Sequence, residues 1–78
     1  MANPEKNILE VFGENVRQKR KLIGLSQEGL AAKSDLHRTY IGMVERAEKN
    51  ITLLSANKIA NGLGVELTEL FNDSKKWI

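Results

Sequence analysis

No cysteine occurs anywhere in the 78-residue chain. Disulfides, thiolate metal sites and cysteine nucleophiles are excluded, and a reducing compartment, the cytoplasm, is the expected location. The single histidine, His37, has no second histidine or cysteine with which to hold a metal, and no activated nucleophile to serve. No catalytic residue, metal or cofactor is therefore expected. The six glycines are scattered rather than gathered into a phosphate-cradling loop. The one proline, Pro4, lies in a polar stretch, residues 1–7, expected to be a flexible arm. That start is too polar for a secretory signal, and no apolar run approaches the length of a membrane span. Strands are not expected, because no stretch alternates apolar and polar residues for long enough.

What remains is helical. Leu9, Phe12, Val16 and Ile23 fall on one side of a segment from Ile8 to Ile23, and Gly24 terminates it. Ser26 is a good N-cap for a second helix reaching about Lys33. A break at 34–36 leads into a third helix from His37 to Arg46, with Ile41 and Val44 inward and Leu36 packed at its entry. Thr52 caps a fourth helix, which carries Leu53, Leu54, Ala56, Ile59, Ala60 and Leu63 and stops at Gly64. A short fifth segment spans Glu66 to Phe71, followed by a tail, residues 72–78. Connections of two to five residues force these helices into a cluster. Two brief helices joined by a tight break have the size of a helix-turn-helix unit. At this length the chain is one domain, and a core this small gains from dimerisation.

Net charge is only +2, but its distribution is uneven. Arg17, Lys19, Arg20 and Lys21 cluster early, and Lys33, Arg38, Arg46 and Lys49 follow. From Ile51 to Phe71 only Lys58 stands against Glu66 and Glu69. A basic first two-thirds suits an anionic partner, and so does a merely solvated face.

Arg20, Leu25-Ser26-Gln27, Leu30-Ala31, Ile41, Glu45 and Leu63-Gly64-Val65 together resemble the lambda-repressor-like helix-turn-helix domain, over most of the chain. The string Arg38-Thr39-Tyr40-Ile41, with Val44-Glu45-Arg46 and Asn50-Ile51-Thr52, is most similar to the controller proteins of restriction–modification systems. The resemblance implies an all-α, five-helix domain over residues 8–71 and a sequence-specific regulator of transcription on double-stranded DNA. The third helix would lie in the major groove and read bases with Arg38, Thr39 and Met43. Gln27, Arg17, Lys33, His37, Tyr40, Arg46, Lys49 and Asn50 would meet the DNA backbone. Met43 and Tyr40 suit the rim of the core equally well. Arg20 and Glu45 would form a structural ion pair.

A short reading helix needs a two-fold partner, with half-site centres about 34 Å apart. Leu54, Val65, Leu67, Leu70 and Phe71 are the expected homodimer surface, with Trp77 and Ile78 as cover; Leu67, Leu70 and Phe71 also suit the monomer core. With no length for an inducer-binding domain, no small-molecule ligand is expected, and control would come through concentration, with dimers pairing on DNA. A controller protein would activate its own promoter at low level, engaging RNA polymerase, and repress it at high level. A phage-type repressor and an antitoxin-like protein-binding regulator remain the alternatives. Two positions depart from the family: Gly29 cannot close a capping box with Ser26, and Gly42 stands where serine is frequent.

Overall fold

The computed structural model describes residues 7–72, and everything below concerns them; the arm at residues 1–6 and the tail at 73–78, with Trp77 and Ile78, lie outside the described residues. Four α-helices run Ile8–Leu22 (α1), Gln27–Ser34 (α2), Arg38–Glu45 (α3) and Leu53–Leu63 (α4), followed by a 3-10 helix over Leu67–Phe71. The fifth helix expected from the sequence is thus a 3-10 turn. Five residues are too few to establish an α ladder, and the Glu69 N–H donates to the Glu66 carbonyl three residues back.

Local chemistry sets the boundaries. Asn7 caps α1: its side chain accepts from the Glu10 N–H, and the Glu10 carboxylate accepts from the Asn7 N–H. Asn7 therefore belongs to the helix entry rather than to an arm. At the other end Gly24 takes a φ of 76°, and the Leu25 N–H reaches back to the Arg20 carbonyl. Ser26 accepts from the Gly29 N–H at 2.9 Å, without the reciprocal bond that a side chain at position 29 would supply. Asp35 closes α2 in the left-handed region, φ 57°, which a short polar side chain tolerates. Thr52 caps α4 through the Ser55 N–H, and Gly64 ends it at φ 74°. The connection from α3 to α4, residues 46–52, is longer than expected.

The core is one cluster centred on Phe12, Val16, Leu30, Ile41, Ile59 and Leu70, all essentially inaccessible. Burying each such side chain is worth about 1.5–3 kcal/mol. Helix α2 packs on α3 and α4, while α1 packs on α3 and the 3-10 helix. Two glycines permit the close approaches. A Cβ at Gly13 would overlap the Val44 carbonyl oxygen of α3, and one at Gly62 would overlap the Ser34 Oγ of α2. Asn15, fully buried on α1, donates to the Leu70 carbonyl at 2.8 Å and also to the Asn72 carbonyl, tying the 3-10 helix to α1.

Two expected placements are corrected. Ile23 follows the end of α1 and is 43% exposed, because the chain turns away at Gly24 before it reaches the core. Leu70 has no exposed surface; the 3-10 helix presses it into the monomer core, so it has nothing to offer a dimer interface.

Candidate nucleic-acid interface

The two sides of α3 differ in kind. Ile41 and Val44 are in the core, while Arg38 and Thr39, in the first turn, are exposed. This follows from helical spacing: positions 41, 44 and 45 share one face, and 38, 39, 42 and 46 the other. Helix α3 is thus anchored by one face and presents Arg38 and Thr39 on the other to solvent, while Gly42, between them and Arg46, is covered.

The anchor includes an ion pair. Arg20 Nε meets Glu45 Oε2 at 2.6 Å, with side chains only 10% and 3% exposed. Arg20 Nη2 donates to Glu45 Oε1 at 3.1 Å, and Nη1 to the Leu25 carbonyl at 2.9 Å. Gln27 Nε2 adds a third donor to the carboxylate, at 3.0 Å from Oε1. One glutamate thereby joins α1, α2 and α3.

On the outward side, Gln27, Arg38, Thr39, Gly42 and Arg46 surround one open depression of about 250 Å³. A water molecule occupies about 30 Å³ in the liquid, so a phosphate or the edge of a base fits. Arg46 Nε is held by Glu48 Oε2 at 3.0 Å. The hydrogen bond and charge of Glu48 raise the guanidinium's pKa above its ordinary value.

Among the sequence-predicted residues, the depression brings together Arg38, Thr39, Gln27 and Arg46 but not Met43, which is half-buried. His37 precedes α3 in extended conformation and makes no side-chain cap. Tyr40 packs partly on the core, with Lys49 Nζ 6.0 Å from its ring centroid. Asn50, Lys33 and Arg17 are exposed, and none of them lines the depression. Of the expected dimer residues, Leu54 is 69% exposed, and Phe71 keeps 37% exposure while stacking at 5.2 Å on Phe12. Val65 and Leu67 are half-buried against the core. Sequence reasoning missed Leu53, which stands 76% exposed beside Leu54. It also missed the Gln27 bond to Glu45, for which no local signal exists.

Among the described residues no acidic, histidine or cysteine group is arranged to hold a metal ion, and no helix is long and apolar enough to cross a membrane.

Two short helices joined at a left-handed Asp35, the second exposing its first turn, make a helix-turn-helix unit. A family model described as Helix-turn-helix matches residues 16–70. The control protein C.MunI of a Mycoplasma species is 44% identical over 66 residues, which span 83% of this chain and 89% of that protein. The control protein C.SmaI of Serratia marcescens is 48% identical over 64 residues, covering 82% and 76%. The crystal structure of the restriction–modification controller protein C.AhdI from Aeromonas hydrophila superposes with a TM-score of 0.79 at 46% identity, over 81% of this chain and 96% of that one. The chain belongs to the helix-turn-helix family, in its controller-protein branch. It is a DNA-binding regulator of transcription and not an enzyme.

Proposed function

We propose that the protein is a homodimer that binds a two-fold-related operator upstream of a restriction–modification operon and controls its own synthesis. The observation that carries this reading is the pairing of Arg38 and Thr39, exposed at the start of a helix whose other face is locked into the core. Arginine can donate two hydrogen bonds to a guanine, and threonine offers a hydroxyl and a methyl to neighbouring bases. The Gln27 Nε2 hydrogen not given to Glu45 and the exposed Arg17, Lys33, His37, Lys49 and Asn50, with the Tyr40 hydroxyl, supply phosphate contacts that set the register. Met43 meets the groove only with its exposed edge.

The dimer surface is the neighbourhood of Leu53 and Leu54, at the entry of α4, with Phe71 and the exposed parts of Val65 and Leu67. Two adjacent leucines more than two-thirds exposed are costly in water and gain from a partner. With dimers pairing on adjacent sites, occupancy rises steeply with protein level. Low levels then recruit RNA polymerase to the promoter, and higher levels block it.

The test is a gel-shift titration on the DNA upstream of the chain's own gene, at several salt concentrations. Specific binding should weaken steeply as salt rises, through counterion release, and retain a preference over unrelated duplex. Equal affinity for unrelated duplex at every salt concentration would reject the proposal. Sedimentation of Leu54→Glu should show a monomer with an unchanged circular-dichroism spectrum.

A further inference from the structure

On the outward side of α3, Arg38, Gly42 and Arg46 recur at intervals of four residues and so form one stripe, with Thr39 beside it. Gly42 leaves a gap in that stripe. Long helical side chains lean toward the N-terminus, over the residue one turn back. Arg46 does so here: the position that a Cβ on Gly42 would take lies 3.2 Å from Arg46 Nη1 and 3.5 Å from Gln27 Oε1. The far side of the guanidinium is steadied by Glu48, which meets Nε at 3.0 Å. Arg46 therefore lines the same depression as Arg38 and Thr39.

This is poor geometry for a phosphate clamp, the role that the sequence suggests for Arg46. A clamp at the end of α3 gains from reaching outward, and a carboxylate beside it repels the backbone it is meant to hold. The arrangement suits base recognition. With Nε engaged by Glu48, Nη1 lies over Gly42 at the depression, and the two terminal nitrogens of a guanidinium match the O6 and N7 acceptors of guanine. We propose that Arg46 is a second base-reading arginine, specific for a guanine edge in the major groove. Glu48 is its positioning residue, and the missing side chain at Gly42 is what admits it. The inference rests on α3 being the groove element.

The experiment selects duplexes from a random-sequence pool with the wild-type protein, then measures affinity for the selected duplex and every single-base variant of it. Arg46→Lys keeps the charge and loses the fork. It should lose roughly tenfold or more on the selected duplex, flatten preference at one guanine, and bind duplexes already lacking that guanine as wild type does. Glu48→Gln should flatten the same position although it removes a negative charge. Gly42→Ala, which crowds only the flexible end of Arg46, should do likewise without lowering the melting temperature, since alanine favours a helix interior. Three results would overturn the proposal: a neutral Arg46→Lys; an Arg46→Ala that weakens all duplexes alike and lowers the salt slope by about one; or a Glu48→Gln that tightens all duplexes alike. Arg38→Ala separates the two levels. If it flattens a position while the Arg46 variants flatten none, the inference fails alone; if it too flattens none, α3 is not the reading element.

Discussion

Two arginine–glutamate pairs meet at the end of α3, and burial gives them opposite uses. Arg20 and Glu45 are almost sealed from water, at 10% and 3% exposure, whereas Arg46 and Glu48 stand at 57% and 53%. In the sealed pair, removing either partner strands a charge and its hydrogen-bonding groups. In the open pair, water solvates whichever partner is left, and the pair adds little to stability. The same chemistry thus makes a joint where water is excluded and a steadied, available cation where it is not. Adjacent residues, Glu45 and Arg46, fall on opposite sides of this division because a helix turns each by 100° from the last.

The largest effect should come from breaking the joint. Arg20→Ala or Glu45→Ala should cost about 3 kcal/mol in urea unfolding, and DNA binding should fall with the folded fraction. A variant with unchanged stability would remove the structural role. Gly13→Ala tests the joint from the other side. Its methyl would meet the carbonyls of Val44 and Glu45, pushing the end of α3 off α1; overpacking of this kind costs about 1–3 kcal/mol. A neutral Gly13→Ala would show that α1 and α3 are not in close apposition.

Between the two members of the open pair lies Ala47, a non-glycine residue at φ 59°. Ala47→Gly should relieve a left-handed strain of about 1–2 kcal/mol while adding about 0.5–1 kcal/mol of unfolded-state entropy. A net rise in stability of about 0.5 kcal/mol is expected from calorimetry. The smallest effect belongs to Glu48→Gln, which should leave the melting temperature unchanged. A clear drop would make the open pair structural and erase the contrast.

The helices were legible because their signals are local. Ser26, Thr52, Gly24 and Gly64 act on backbone groups within a few residues, and the apolar period marks Phe12, Val16, Ile59 and Leu63 directly. The outward face of α3 followed from the same period, since Ile41 and Val44 inward places Arg38 and Thr39 outward. What escaped is non-local. Asn15 is buried because carbonyls 55 and 57 residues away accept from it. Gly13 and Gly62 are needed by the helices opposite them, not by their own. Leu70 and Leu54 look alike in a sequence, and only the packing of the 3-10 helix on α1 decides that one is sealed and the other open. The direction of Arg46 depends on Gly42 and Glu48 together, which no single-residue reading combines.

The central claim is that the outward first turn of α3 reads sequence while its inward side only holds it in place. The most direct measurement is the base-preference profile of Arg38→Ala beside its melting curve. The account predicts an unchanged melting temperature, a loss of about 1–3 kcal/mol on the preferred duplex and a flattened preference at one base position. A profile identical to wild type, with folding intact, would contradict it.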